Sequence, residues 1–325
     1  MKKIKAGIIG GAGYTGGELL RLLLLHPQVS IEFVHSRSRA GKPVYQTHQD
    51  LLGTTDLHFT DQYERPVDVL FLCLGHGESN QFLSQNSIDS TVCVIDLTQD
   101  FRLSRSAHFG DRSFIYGLSE LHRKDLIAAK SIANPGCFAT AIQLALLPLA
   151  NNKVLKEAHV TGITGTTGAG QSLSETSHYS WRANNIQAYK TLTHQHLAEI
   201  GEQLQQVAGT PIAVHFVPWR GNFTRGIFVS AMVQTSLSLA ETFACFNAFY
   251  TNSPFVTISA EPISLKQVVG TNKAFLQLEQ QDDQLVIHCA IDNLLKGASG
   301  QAVQNMNVAF GLPETTGLQL KANFF

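Results

Sequence analysis

The stretch Ile4-Lys5-Ala6-Gly7-Ile8-Ile9-Gly10-Gly11-Ala12-Gly13-Tyr14-Thr15-Gly16-Gly17-Glu18-Leu19-Leu20 decides the fold of this chain. Ile4 to Ile9 reads as a short strand, and Glu18 to His26, leucine at most positions, as a buried helix stopped by Pro27. A glycine cluster alone is a weak signal, but one set between a strand and a helix reads as a dinucleotide-binding turn. Glycines let the backbone approach a pyrophosphate, whose charge the helix's first N–H groups and dipole stabilise. Gly10, Gly13, Tyr14, Thr15 and Gly16 are therefore candidate cofactor-binding residues.

Working outward, Ile31 to Val34, Val67 to Leu74 and Val92 to Leu97 are continuous apolar runs rather than alternating ones. Such runs mark strands covered on both faces, as in a parallel sheet. The expected fold is α/β, a doubly wound parallel-sheet Rossmann domain with right-handed crossovers. At the end of the second strand stands His35-Ser36-Arg37-Ser38-Arg39, with no carboxylate after Glu32. Hydroxyl and guanidinium groups suit a 2′-phosphate, so Ser36, Arg37 and Ser38 point to NADP/NADPH over NAD. The competing reading is a solvated basic turn.

The pattern changes after about residue 135. Phe138 to Ala150, His196 to Val207 and Leu239 to Tyr250 read as helices, and Ser299 to Phe310 as one more. Strand-like runs fall at 158–163, 213–217, 227–233, 275–278 and 285–291, parted by polar turns. The mixture predicts a second, α+β domain of largely antiparallel sheet.

Composition excludes several classes of function. A formal charge of -1 provides no basic stripe, so neither nucleic acid nor an anionic membrane is an expected partner. No apolar run approaches the roughly 18 residues of a spanning helix. Met1-Lys2-Lys3 imitates a secretion signal only until Gly10, Gly11, Gly13, Glu18 and Arg21 interrupt the apolar part. Cys73, Cys93, Cys137, Cys245 and Cys289 form no C-x-x-C clip and are odd in number, which argues against disulfides or structural zinc and for the cytoplasm.

One cysteine stands apart. Cys137 follows Asn134-Pro135-Gly136, between an apolar strand (Ser131 to Ala133) and a helix start. The helix's positive end raises the thiolate fraction, whereas the other four cysteines sit inside apolar runs and read as small core residues. For a base, the best place is Thr193-His194-Gln195-His196-Leu197-Ala198-Glu199-Ile200, with a carboxylate one turn after two histidines. H-x-H also occurs in zinc sites, but no third ligand is evident, so no metal is expected. Both histidines on the surface is the plainer alternative. A dinucleotide site and an activated thiol imply hydride transfer at a thioester or thiohemiacetal carbon, in either direction. The residues do not name the acyl group.

Six further landmarks join the opening turn. They are Asp96-Leu97-Thr98-Gln99-Asp100-Phe101-Arg102-Leu103, Asn134-Pro135-Gly136-Cys137, 165–170 (GTTGAG), His194-Gln195-His196, 221–226 (GNFTRG) and 292–302 (DNLLKGASGQA). In this order they resemble the N-acetyl-γ-glutamyl-phosphate reductase family, related to aspartate-semialdehyde dehydrogenase, over most of the chain.

The resemblance implies NADPH-dependent reductive dephosphorylation of an N-acylated γ-glutamyl phosphate to its semialdehyde, in arginine biosynthesis. It makes Cys137 the nucleophile and His194, supported by Glu199, the acid/base, with His196 beside it. It implies an NADP-binding domain at 1–134 and 297–325 and a catalytic and oligomerisation domain at 135–296. Gly297 and Gln301 would lie at the cofactor, and the protein would be a homodimer or homotetramer. Arg102, Asn134 and Arg225 join His196 as candidate substrate contacts, the arginines because a guanidinium binds phosphate or carboxylate bidentately. Ala198, Ala139 and Trp219 depart from the family's common pattern and bear on the acyl pocket, leaving N-acetyl and N-succinyl substrates both open. Rival readings are an aspartyl- or aminoadipyl-phosphate dehydrogenase, a dinucleotide-sensing protein without chemistry, and a cysteine hydrolase.

Overall fold

A computed structural model describes residues 2–63 and 65–325. The chain divides into two compact units, 1–135 with 298–319, and 136–297 with 320–325.

The first unit begins with β1 (Ile4–Ile9), α1 (Tyr14–Leu24), β2 (Val29–His35), β3 (Phe59–Thr60) and β4 (Val69–Leu72). It continues through α2 (Glu78–Gln85), β5 (Cys93–Asp96), the small hairpin β6 (His108–Phe109) and β7 (Arg112–Ser113), β8 (Ile115–Tyr116), α3 (Ser119–Leu126) and β9 (Ser131–Ala133). Seven strands form one sheet in the order β3-β2-β1-β4-β5-β9-β8, every pairing parallel. The predicted doubly wound sheet is therefore what forms. Strand order reverses between β1 and β4, and open α/β sheets bind ligands at such a switch point. The glycine turn leaves β1 there.

The second unit holds α4 (Cys137–Asn151), β10 (Glu157–Thr164), α5 (Tyr179–Arg182), β11 (Gln187–Ala188), α6 (His196–Ala208) and β12 (Ala213–Arg220). It is completed by β13 (Ile227–Gln234), α7 (Leu239–Tyr250), β14 (Val256–Ser259), β15 (Ala274–Gln281) and β16 (Gln284–Ile291). Its sheet runs β11-β12-β10-β13-β16-β15-β14, with two parallel pairings among otherwise antiparallel ones. Residues 138–150 of α4 are all buried, as expected of a helix that is apolar all round and lies in a core. Pro148 sits inside its last turn and has no N–H for the Leu144 carbonyl; the Tyr250 hydroxyl of α7 donates to that oxygen instead, at 2.6 Å.

A π-helical turn, Leu295–Ser299, leads into α8 (Gly300–Ala309), which packs on α1 and α3 in the first unit. Its buried Gln301, Gln304, Asn305 and Asn307 are all hydrogen-bonded, so their polarity costs little. No helix among the described residues is long and apolar enough to cross a membrane.

Candidate active site

In the first unit the glycine turn has the geometry its spacing predicts. Gly10 has φ +79°, and a β-carbon there would lie 2.3 Å from the Cys73 carbonyl oxygen. At Gly16 it would lie 2.6 Å from the Gly11 α-carbon, so both positions exclude a side chain. At Gly13, the N-cap of α1, the nearest atom is 3.7 Å away, which leaves the helix end open to a pyrophosphate. No acidic residue occupies the first turn of α1. Tyr14 is partly exposed, and the Thr15 side chain bonds the buried Cys73 thiol. After β2, Ser36 is buried while Arg37, Ser38 and Arg39 are exposed. Neither of these arginines has an ion-pair partner among the described residues. A cradle of three glycines followed by uncommitted cationic side chains fits a dinucleotide carrying a 2′-phosphate.

In the second unit Cys137 is the first residue of α4, after the extended Gly136, with no acidic residue in the helix's first turn. The first helical bond is accepted by the Gly136 carbonyl from the Thr140 N–H, so the Phe138 and Ala139 N–H groups have no acceptor within the helix. Cys137 is half-buried, while Cys73, Cys93 and Cys289 are buried. Burial pushes the Cys73 and Cys93 thiols up to about 12 and Cys289 higher still, as inert core thiols require.

Two glycines press on the nucleophile. A β-carbon on Gly297 would lie 2.8 Å from the Cys137 β-carbon. One on Gly136 would lie 2.4 Å from His196 Nε2 and 2.7 Å from Glu199 Oε1. Glu199 Oε2 accepts from the Gly136 N–H at 3.1 Å, and Oε1 stands 4.0 Å from His196 Nε2. Glu199 is buried, and these partners offset the cost of burying its charge.

This pairing differs from the sequence expectation, in which Glu199 supports His194. His194 instead stands among rings, with Phe138, Phe216 and Tyr189 centroids at 5.6, 5.5 and 5.8 Å. The His196 backbone N–H donates to its Nδ1 at 3.2 Å. Burial, helped by the charge of Lys190, lowers its pKa to about 4, so the ring is neutral near pH 7 with its proton on Nε2. The two imidazoles touch at 4.6 Å but differ in surroundings: one neutral among aromatics, the other facing a carboxylate beside Gly136.

The remaining candidates lie in networks of the fold. Arg102 is buried, with Nε donating to the Asn134 carbonyl and Nη2 to that of Leu97. The Asn134 amide donates to the Ala298 carbonyl and accepts from Asn305. The Gln301 amide donates to the Gly117 carbonyl and Ser119 hydroxyl. Arg225 turns its bidentate edge on the buried Asp292, at 3.1 Å for both Nε and Nη2, which is the contact expected for substrate. Trp219 lies on the face of β12 opposite Phe216, because side chains alternate along a strand. Arg220 shares the face of Phe216, and its guanidinium covers the Tyr189 ring at 4.9 Å. Sequence reasoning passed over Tyr189 and Arg220, since neither lies in a motif whose spacing announces chemistry.

A glycine-cradled dinucleotide turn and a helix-end thiol beside a histidine–carboxylate pair define the semialdehyde-dehydrogenase class of oxidoreductases. Residues 5–129 match the semialdehyde dehydrogenase NAD-binding domain, and residues 137–293 the semialdehyde dehydrogenase dimerisation domain. Among solved structures, aspartate semialdehyde dehydrogenase II from Vibrio cholerae shares the fold at 18% identity and TM-score 0.75, covering 95% of this chain and 98% of that one. The NADP-bound enzyme from Candida albicans shares it at 12% identity and TM-score 0.70, covering 94% and 98%. N-acetyl-γ-glutamyl-phosphate reductase of Flavobacterium johnsoniae is 51% identical over 324 residues, 99% of this chain and 100% of the relative. That of Bacteroides thetaiotaomicron is 50% identical over 325, again 99% and 100%. The chain belongs to the N-acetyl-γ-glutamyl-phosphate reductase family.

Proposed function

We propose that this protein reduces an N-acyl-γ-glutamyl phosphate to the semialdehyde with NADPH, through a thioester on Cys137, in arginine biosynthesis. The observation that carries the reading is Cys137 at the first position of α4, against Gly136 and its His196–Glu199 pair. The thiolate attacks the γ-carbonyl carbon, the carbon–sulfur bond forms, and phosphate leaves. The Phe138 and Ala139 N–H groups point toward the developing oxyanion at the helix end.

When bound, NADPH supplies the hydride; Gly10, Gly13 and Gly16 would hold its pyrophosphate, and Ser36, Arg37 and Ser38 its 2′-phosphate. His196 takes the thiol proton, protonates the oxygen as the thiohemiacetal forms, and takes that proton back as the carbon–sulfur bond breaks to give aldehyde and thiolate, worth about 10²–10⁴-fold in rate. Glu199 orients that ring and stabilises its charged form. His194 holds the His196 backbone as a neutral acceptor. This assignment exchanges the roles expected of the two histidines, on the ground that the carboxylate meets His196.

The dimerisation-domain match over 137–293 supports a homodimer or a homotetramer built from dimers, and free cysteines together with biosynthetic relatives support the cytoplasm. The test is turnover in the oxidative direction with phosphate, NADP and one semialdehyde at a time: N-acetylglutamate, N-succinylglutamate or aspartate. Turnover of aspartate semialdehyde alone would overturn the reading.

A further inference from the structure

The half-buried guanidinium groups of Arg112 and Arg225 are met by carbonyls or a carboxylate, whereas Arg182 and Arg220 each keep one buried donor idle. Arg112 donates to the carbonyls of Ile88, Asp89, Val92 and Lys130, and Arg225 is paired with Asp292. Arg182 and Arg220 are satisfied only in part, the Arg220 side chain by a hydrogen bond to the Tyr189 hydroxyl. Arg182 is 6% exposed; its Nη1 donates to the Arg220 carbonyl at 3.3 Å and its Nη2 to the Thr176 carbonyl at 2.8 Å. Its Nε is buried with no partner, and so is the Nε of Arg220. Neither arginine is ion-paired among the described residues. Burial and the neighbouring Arg220 charge together hold Arg182 below the usual guanidinium range.

Two adjacent cations with buried idle donors and no counter-charge are costly, because desolvated charge needs a partner. A carboxylate would supply it, with acceptor oxygens for both Nε–H groups.

We propose that Arg182 and Arg220 form an anion pocket that receives a carboxylate of the substrate, at the end remote from the carbonyl that Cys137 attacks. This rests on the function proposed above. Position selects the group. Arg220 lies on Tyr189, Tyr189 is ring to ring with His194 at 5.8 Å, and His194 with His196 at 4.6 Å, next to Gly136 and Cys137. Two aromatic rings therefore separate the guanidinium pair from the imidazole beside the thiol. The leaving phosphate is bonded to the attacked carbon and belongs next to Cys137. The α-carboxylate, or a carboxylate on the N-acyl cap, lies farther along the substrate.

The test uses the full chain with Arg220→Met, Arg220→Lys and Arg182→Met. Among the described residues the Arg220 guanidinium is bonded to the Tyr189 side chain and to no backbone carbonyl, so Arg220→Met carries the test even if Arg182→Met fails to fold. Kinetics are measured with N-acetylglutamate and N-succinylglutamate semialdehydes, and Tm with and without sodium succinate against sodium chloride. Arg220→Met should raise KM about 10- to 100-fold with kcat little changed, and Arg220→Lys should restore part of it. A rise with both substrates assigns the α-carboxylate; a rise confined to the N-succinyl substrate assigns the cap. Unchanged KM for both substrates in a folded Arg220→Met overturns the pocket. Should the wild type turn over neither semialdehyde, the proposed function fails, and the succinate arm decides this inference alone. A succinate-dependent rise in Tm that Arg220→Met abolishes supports the pocket; no rise, or equal rises, refutes it.

Discussion

Replacing Gly297 by alanine tests how tightly the nucleophile is held. The added β-carbon would lie 2.8 Å from the Cys137 β-carbon, 3.2 Å from its α-carbon and 3.3 Å from the Asp292 carbonyl oxygen. Carbon atoms rest about 3.5–4.0 Å apart, so the overlap with the β-carbon is about 0.7–1.2 Å. Neither side yields readily. Cys137 starts a helix whose residues 138–150 are all buried, and the Gly297 N–H is bonded to the Asp292 carbonyl at 2.9 Å.

Overpacking of this kind costs about 1–3 kcal/mol, or a fall in Tm of about 2–10 °C. The effect on rate should be larger in proportion. A nucleophile displaced by about 1 Å loses roughly 10²-fold, so kcat/KM should fall by about that factor. The assay is oxidative turnover beside Tm, with Gly201→Ala as control. Nothing lies within 4 Å of a β-carbon at Gly201, and alanine in that helix should be neutral or stabilising by about 0.5–1 kcal/mol. If Gly297→Ala kept kcat/KM within about threefold of wild type, the tight placement of the thiol argued from this contact would be wrong.

Four other outcomes are expected. Cys137→Ser should lose on the order of 10³-fold or more in kcat, and iodoacetamide near neutral pH should label Cys137 well before Cys73 or Cys93, whose thiols lie at about 12. Glu199→Gln keeps the shape but removes the charge facing His196, so kcat/KM should drop about 10²-fold and the base limb of its pH profile should move to lower pH. Arg37→Ala should raise the KM for NADP about tenfold and leave that for NAD unchanged, as measured by parallel titrations. Acidification should destabilise the fold through His194. Its folded pKa of about 4 lies below the ordinary 6.5, so its contribution is whole above pH 6.5 and falls by roughly 3 kcal/mol by pH 4, as the unfolded ring takes up a proton the folded ring refuses. Chemical denaturation at several pH values should show a shallower slope in His194→Gln over that window, with a remainder from His26, His35 and His48, whose pKa values burial also lowers.

Legibility in the sequence followed the physics of each feature. The first sheet was readable because strands buried on both faces are continuous apolar runs: β4 is apolar throughout, and β1, β2 and β5 are so over most of their length. The helix Leu239–Tyr250 was readable to the residue; Ser238 accepts from the Glu241 N–H, and the Glu241 side chain accepts from the Ser238 N–H, a reciprocal cap. By contrast α2 and α3 are short and polar, with little apolar periodicity to reveal them. Cys137 was legible because a thiol at a helix start is a local arrangement. The partner of Glu199 was not, because the i,i+3 and i,i+5 spacings to His196 and His194 leave the choice to side-chain packing. The partners of Arg102 and Arg225 were not legible either: a guanidinium suits any carbonyl, phosphate or carboxylate, and these two bond the protein's own carbonyls and Asp292.

The two adjacent histidines explain one another. A single imidazole cannot both anchor the start of α6 and exchange a proton at the thiol, since an anchoring ring must keep its tautomer. His194 keeps it because its surroundings are aromatic and its pKa is far below neutrality, so Nδ1 stays an acceptor for the His196 N–H. That bond fixes the backbone of His196, and Gly136, lacking a β-carbon, lets the His196 ring and the Glu199 carboxylate close on the turn before Cys137. The carboxylate then serves both sides, accepting from the Gly136 N–H and facing the imidazole. Alanine at 136 would therefore displace the base and its orienting group together. Its effect should not add to that of Glu199→Gln, because residues that act as a unit are non-additive. A double variant no slower than the worse single one is the expected result, and additive losses would separate the turn from the base.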